Sequence, residues 1–175
     1  MRKHDIRTAT RTDIEAISRL YENLLHEWNV PPGDDAARGY LHLLERQLEQ
    51  GAVFIAERDG TLAGAMSYID AALTQLVPEG RAHLTSAVVV PAHRRRGIAS
   101  ALLHAIASNC RRLGIRRITT DCARDNTAAL GLLMRQGFRE YDETSRLNQT
   151  PADIFLEIDT EMLTAGGQDG RKDQN

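Results

Sequence analysis

The chain of 175 residues contains only two cysteines, Cys110 and Cys122. Their spacing matches neither a zinc ribbon nor a CxxC redox motif, so both are predicted to be reduced thiols in the core. The segment MRKHDIRTAT lacks the apolar stretch of a signal peptide, and no run of about 18 apolar residues could span a membrane. These absences predict a soluble, cytoplasmic protein that binds no membrane.

The nucleotide-binding fingerprints GxGxxG and GxxxxGK[ST] are also missing, which excludes typical Rossmann and P-loop sites. The net charge of −2 and the isoelectric point near 6.3 argue against a general nucleic-acid-binding protein, because such proteins carry a basic excess. No nucleic-acid partner and no metal are expected.

Acidic residues are absent between Glu79 and Asp121, and this interval holds eight arginines: Arg81, Arg94, Arg95, Arg96, Arg111, Arg112, Arg116 and Arg117. Three of them are consecutive, and like charges in one turn repel each other. An exposed basic turn surrounded by solvent is one reading of this run. An anion-binding site is the other.

The hydrophobic periodicity predicts elements in the order β-α-α-β-β-β-α-β-α-β-β. A capping box of Thr12 and Glu15 is predicted to begin the first helix. The third helix is predicted to place Ile98, Leu102 and Leu113 on its buried face. We expect one α/β (α+β) domain over residues 1–163, with a mixed, mostly antiparallel twisted sheet of about seven strands flanked by about four helices, and a disordered tail over 164–175.

The arginine run lies between a strand that Pro91 ends and a helix that Gly97 opens. Such a turn directs free backbone N–H groups and the positive end of the helix dipole at one spot. Gly97 would allow close approach of a ligand, Ala99 would leave room, and Ser100 would add a hydroxyl donor. A pyrophosphate is therefore the predicted ligand.

Two segments resemble signatures of the GCN5-related N-acetyltransferase family. The run from Arg94 to Ala99 is similar to its R/Q-x-x-G-x-G/A motif, and NTAALGLLMRQGF, which begins at Asn126, resembles its N-x-x-A-x-x-L-Y-x-x-x-G-F segment. The resemblance extends from residue 5 to about 160 in element order. It implies an acetyl-CoA-dependent N-acetyltransferase that transfers an acetyl group directly to a primary amine in a ternary complex.

The resemblance also implies that two central strands splay apart around the pantetheine arm of acetyl-CoA. The backbone groups of Val88 and Val90 would face pantetheine as an added strand, and the Val88 N–H would polarise the thioester. The arginines beside Arg94 would either reach the 3′-phosphate or lie in solvent. The implied cofactor-binding residues are Val88, Val89, Val90, Arg94, Arg95, Arg96, Gly97, Ile98, Ala99, Ser100, Asn126 and Ala129.

The chain departs from the family pattern at the implied catalytic residues. His83 stands where many members carry a glutamate base, and it is either that base or a strand histidine with ordinary hydrogen bonds. Leu133 replaces the tyrosine that serves as general acid. Tyr141 or Tyr68 would substitute for it, or each is a packed strand aromatic. Without a general acid, an acyl-CoA-binding module with little turnover is the alternative function.

The acceptor is expected to be a small-molecule or peptide amine. Glu27 and Trp28 would bind it through charge and stacking, and Asp34, Asp35 and Glu79 would add negative charge. The alternative is that these side chains only solvate helix ends and that the indole is partly buried. Edge strands near the C-terminus would allow a homodimer.

Overall fold

The computed structural model describes residues 4–27, 35–141 and 153–163, which form seven strands and four α-helices. The predictions for Trp28, Asp34, residues 142–152 and the tail lie outside these residues. The elements are β1 (Asp5–Thr8), α1 (Ile14–Glu27), α2 (Asp35–Glu49), β2 (Val53–Arg58), β3 (Thr61–Asp70), β4 (Arg81–Val89), α3 (Ile98–Arg112), β5 (Arg117–Ala123), α4 (Thr127–Arg135), β6 (Arg139–Glu140) and β7 (Asp153–Asp159).

The strands form one mixed sheet in the order β1-β2-β3-β4-β5-β7-β6. Adjacent strands pair antiparallel except β4 and β5, which run parallel. The predicted mixed, mostly antiparallel sheet of seven strands with four helices is thereby confirmed. Asp59 and Gly60 make the predicted tight turn between β2 and β3, both with positive φ.

Helices cover both faces of the sheet, so the protein has two apolar cores. On one face α3 buries Ile98, Leu102 and Ile106 completely, since residues four apart lie on one side of a helix. On the other face α1 buries Ile17 and Leu20 against β2, β3 and β4. Leu113 was expected in the core but is 50% exposed, because α3 ends at Arg112.

A β-bulge in β4 separates this strand from β5. Ser67 of β3 lies opposite Ser86 and Tyr68 lies opposite Leu84, so Thr85 is an extra residue on β4. Bulges bend a strand and increase its twist. The pairing of β4 with β5 covers only Arg81–His83 and Arg117–Thr119. Beyond His83 the two central strands diverge, and a gap opens between them.

The start of the first helical segment differs from the sequence prediction. A short 3-10 helix, Arg11–Asp13, precedes α1, and the capping box joins Thr10 and Asp13 rather than Thr12 and Glu15. The Asp13 carboxylate accepts the Thr10 N–H at 2.7 Å. It also accepts two hydrogen bonds of 2.8 Å from Arg7, which fix this turn to β1. Thr10 is the cap because Asp13, three residues after it, is also held in place by Arg7.

Both cysteines are free thiols in the interior. Burial raises the pKa of the Cys110 thiol to about 12, and burial is also the first cause of the raised pKa of Cys122. Thiols with raised pKa values are poor nucleophiles at neutral pH. In the described ranges no helix is long and apolar enough to cross a membrane.

We predict that Asp13→Ala lowers the free energy of unfolding by about 1–2 kcal/mol, because the turn loses its cap and its ion pair. Hydrogen bonds from Arg7 hold the pKa of Asp13 well below its usual range. This stabilisation is therefore complete above the ordinary aspartate pKa of about 4 and declines as the pH falls below it.

Urea unfolding at neutral pH and at about pH 3 would measure both effects. Glu15→Ala is the control, because Glu15 forms only an exposed pair with Arg19 at 3.4 Å. Equal losses for the two variants, or a loss at Asp13 that does not shrink in acid, would contradict the prediction.

Candidate active site

The arginine run forms a turn of unusual backbone conformation between β4 and α3. A 3-10 helix, Pro91–His93, ends β4, and Arg94 is then extended. Arg95 has a φ of 58° and Gly97 has a φ of 79°, both in the left-handed region. Left-handed residues within a turn point successive N–H groups to one concave side, which is an anion-binding arrangement. Glycine accepts this φ without strain, and arginine does not.

The first turn of α3 adds further donors to the same place. The first intrahelical hydrogen bond runs from Ala101 N–H to Gly97 O at 2.9 Å. The N–H groups of Ile98, Ala99 and Ser100 have no acceptor within the helix, since none precedes them in the ladder. Gly97 provides no side-chain cap. These amides therefore face outward, with the positive end of the helix dipole behind them.

The arginine side chains surround these donors with positive charge. Arg94, Arg95 and Arg96 are all exposed. Arg94 also donates from Nε to the Val89 carbonyl at 3.0 Å, which ties the turn to the end of β4. The turn therefore combines free amides, a helix dipole and cationic side chains. Such a combination suits a multiply charged anion, and the predicted diphosphate contact stays a prediction.

Successive residues of β4 direct their backbone N–H and C=O groups alternately toward β3 and toward β5. This alternation decides which of these groups face the gap. Val90 N–H donates to Ala63 O at 3.0 Å. Val88, two residues earlier, faces β3 as well, because alternate residues of an antiparallel strand point to the same neighbour. The Val88 carbonyl oxygen does lie close to Gly64 of β3: a Cβ added to Gly64 would be 2.9 Å from it.

The expectation that Val88 and Val90 direct their backbone groups to the cofactor is therefore wrong. Ala87 and Val89 alternate with these residues along the strand, so their backbone N–H and C=O groups point to the β5 side, into the gap. The contact of Val89 O with Arg94 agrees with this direction. The Val88 N–H is likewise directed away from any thioester in the gap.

His83 lies at the closed end of the gap and is bound at both ring nitrogens. Its Nδ1 is 3.0 Å from Thr119 Oγ1, and its Nε2 is 2.9 Å from Asp121 Oδ1. The His83 side chain is 7% exposed, whereas that of Asp121 is 42% exposed. Thr119 pairs with His83 across the strands, and Asp121 follows on the same face two residues later.

A buried hydroxyl network holds the bulge that opens the gap. Ser86 Oγ is 2.7 Å from Tyr21 OH of α1 and 2.7 Å from Ser67 Oγ of β3. Gln47 of α2 donates to Thr85 Oγ1 at 2.8 Å. Both covering helices thus fix the irregular part of β4, because buried polar groups need such partners.

The second sequence signature forms the start of α4. Asn126 Oδ1 caps the helix by accepting the Ala129 N–H at 3.1 Å. Leu133, at the position of the family tyrosine, is 8% exposed within the apolar core. Gln136 near the helix end donates to Ser100 Oγ at 3.3 Å, which couples α4 to the first turn of α3. Cofactor contacts of Asn126 and Ala129 stay predictions.

Comparison with known proteins decides the family. A model of the Acetyltransferase (GNAT) family matches residues 15–138. The chain belongs to the GNAT family of acetyltransferases. It is accordingly an acyltransferase of the N-acetyltransferase type. No curated protein sequence matches it significantly.

Solved structures of GNAT proteins share the fold of this chain. A ribosomal-protein-alanine N-acetyltransferase from Brucella melitensis is 24% identical, with a TM-score of 0.70 over 89% of this chain and 99% of that one. A GNAT acetyltransferase from Staphylococcus aureus Mu50 is 16% identical, with a TM-score of 0.73 over 90% and 99%. The putative acetyltransferase yncA from Salmonella typhimurium, solved with acetyl-CoA, is 23% identical, with a TM-score of 0.69 over 91% and 95%.

The substitute general acids proposed for this GNAT protein lie in different surroundings. Tyr68 OH accepts a hydrogen bond of 2.8 Å from Asn109, and burial is the main cause of its raised pKa. These features favour its reading as a packed aromatic. Tyr141 packs its ring edge-on against Phe155, and its catalytic role stays a prediction. Glu27 is the last residue of α1, and its contact with the acceptor stays a prediction.

Sequence reasoning missed three residues of the site, namely Asp121, Thr119 and Ala87. One signal for Asp121 was available: an aspartate within the β-rich run RITTDCA is unusual, because aspartate is depleted in strands. No such signal existed for Ala87. Only the pairing register shows that its backbone faces the gap.

Other features of this acetyltransferase lie away from the gap. A cavity of about 310 Å³ at the opposite end of β4 is lined by Tyr68, Asp70 and Arg81 among others. It contains neither the arginine turn nor the His83–Asp121 pair. Among the described residues, no group of three or more histidine, cysteine or carboxylate side chains is arranged to hold a metal ion.

We predict that Gly64→Ala destabilises the protein by about 1–3 kcal/mol, because its Cβ would lie 2.9 Å from Val88 O and 3.2 Å from Ile98 Cγ2. Strand β4 or the start of α3 must then shift. Gly39→Ala in α2 is the control, since no atom lies within 4 Å of its Cβ position. Urea unfolding measures both variants, and an unchanged midpoint for Gly64→Ala would contradict the prediction.

Proposed function

We propose that this GNAT protein is an acetyl-CoA-dependent N-acetyltransferase that acts on a primary amine by direct transfer in a ternary complex. One observation carries the proposal: a donor-rich arginine turn and an unpaired strand edge meet at the same gap in the sheet. The turn suits a diphosphate, and the edge suits the amide-bearing arm of pantetheine. Coenzyme A has both groups.

The turn would hold the diphosphate through the amides from Gly97 to Ser100. The backbone groups of Ala87 and Val89 would pair with the pantetheine amides, as an added strand does at a sheet edge. The strand from Ala87 back to His83 is about 13 Å long, so the acyl end would lie toward the closed end of the gap. The solved yncA structure with acetyl-CoA supports this choice of co-substrate.

The reaction requires that the acceptor amine lose a proton before it attacks. Its lone pair then forms the N–C bond, the C–S bond breaks, and sulfur leaves with the electron pair and takes up a proton. The balance is an ammonium and an acetyl thioester giving an amide, a free thiol and one proton. The His83–Asp121 pair is the group at the end of the gap that can accept the ammonium proton.

Leu133 favours a second candidate function. An apolar side chain at this position cannot protonate the departing thiolate, and the loss of a general acid costs roughly a hundredfold or more in rate. The protein would then bind an acyl-CoA as a sensor without efficient turnover. A thiolate is a tolerable leaving group, because thiols have a pKa of about 8.5. For this reason we favour an active acetyltransferase over an acyl-CoA sensor.

We predict that Gly97→Glu weakens coenzyme A binding about a hundredfold, because the carboxylate would stand beside the diphosphate. Gly97→Gln is the matched control: it has the same size and the same strain at a φ of 79°, without the charge. Isothermal titration calorimetry gives the two dissociation constants. Equal losses would show that the charge is not responsible, and unchanged affinity in both would refute the diphosphate site.

We predict that the protein releases free thiol from acetyl-CoA faster when a suitable amine is added. The panel should include a monoamine, a diamine and a peptide beginning with alanine; the peptide is suggested by the Brucella melitensis structure. Thiol detection follows the rate, and mass spectrometry identifies the amide. Release no faster than background hydrolysis, with intact coenzyme A binding, would favour the sensor over the enzyme.

A further inference from the structure

The His83 ring has no nitrogen left for a substrate. An imidazole has two nitrogens, and here Thr119 Oγ1 and Asp121 Oδ1 take them at 3.0 and 2.9 Å. Thr119 Oγ1 also lies 3.3 Å from Ala82 O, a longer contact than the one it makes with the ring. The Asp121 carboxylate can only accept, so Nε2–H donates to it and Nδ1 of the neutral ring accepts from the Thr119 hydroxyl, which leaves neither nitrogen free. A direct contact of His83 with an amine would require one of these bonds to break.

Asp121 is the exposed member of the pair. Its side chain is 42% exposed, six times the fraction of His83. A carboxylate has two oxygens and accepts several hydrogen bonds, and His83 engages only Oδ1. Asp121 comes two residues after Thr119, where the pairing of β4 with β5 ends. The carboxylate therefore stands at the closed end of the gap.

The charges around Asp121 favour a cation. Arg117, on the same sheet face, is paired with Glu157 at 3.1 Å and does not neutralise Asp121. The pKa of the Cys122 thiol is raised by burial first and then by Asp121, Asp153 and Asp125, so two further carboxylates lie near this end of β5. An ammonium ion is attracted to such a place.

We propose that Asp121, rather than His83, contacts the ammonium group of the acceptor, and that His83 is a positioning residue that acts through Asp121. This inference rests on the proposed function and specifies its substrate class: acceptors bind as cations. Thr119 and His83 together orient the carboxylate. A neutral amine gains nothing from this contact.

The test compares two acceptors with the same number of heavy atoms, methylamine and hydroxylamine. Slightly above neutral pH the first is a cation and the second is neutral. Asp121→Asn keeps the shape and an acceptor atom for His83 Nε2 while removing the charge. We expect it to raise the KM for methylamine about tenfold or more, and to leave the KM for hydroxylamine within about twofold.

Three variants give the comparison its controls. Asp125→Asn removes another exposed carboxylate, which like Asp121 raises the pKa of the Cys122 thiol. It should change the KM of neither methylamine nor hydroxylamine much. Asp121→Glu should recover part of the methylamine effect, because it restores the charge. His83→Gln should raise the methylamine KM less than Asp121→Asn does. The coenzyme A affinity of each variant, measured by calorimetry, reports whether the site has folded.

The outcomes separate this inference from the proposed function. A lower kcat for both acceptors with unchanged KM values would overturn the ammonium contact, as would a larger KM effect in His83→Gln. If the wild type acetylates neither acceptor, the ammonium contact is tested by the calorimetric affinity of methylamine for the complex of the protein with coenzyme A. Binding that Asp121→Asn abolishes supports the contact even though the proposed function fails, and binding that is absent or insensitive to Asp121 overturns it.

Discussion

The structure depends on how the backbone of β4 is shared between its neighbours. The strand pairs with β3 from Ala82 to Val89, apart from the bulge, but with β5 only over Arg81–His83. The extra residue Thr85 bends it away at that point, and hydroxyl and amide groups from α1, α2 and β3 hold the bend. Ordinarily an unpaired strand edge inside a sheet would waste hydrogen-bonding groups. Under the proposed function, these groups pair with the amides of a ligand.

The charges are distributed along this gap. At one end, free amides and exposed arginines collect positive potential around the turn before α3. At the other end, Asp121 is exposed next to a buried histidine. An anionic carrier and a cationic acceptor would thus be drawn to opposite ends of one groove, with their reactive ends between them. Asp121 is also the first acidic residue after the interval that holds the arginine turn.

Several local features were predictable because each depends on neighbouring residues in the chain. The repeat of buried side chains four apart in α3, the Asp59–Gly60 turn and the arginine–glycine turn all follow from short-range rules. The exact cap was less predictable. Thr10 and Thr12 each have an acidic residue three positions later, and Arg7 of β1 selects Asp13 by binding it twice.

The sequence by itself determined the fold class, the order of the elements and the place of the arginine–glycine turn, since periodicity, turn chemistry and two family signatures lie within contiguous segments. The tertiary structure alone decided which backbone groups face the gap. The run of three valines, Val88 to Val90, has no alternation of apolar and polar side chains that would show which way each residue faces. The direction of each backbone hydrogen bond is set by the register of β4 with β3. It also decided that Asp121 meets His83, because 38 residues separate them and only the short pairing of β4 with β5 brings them together.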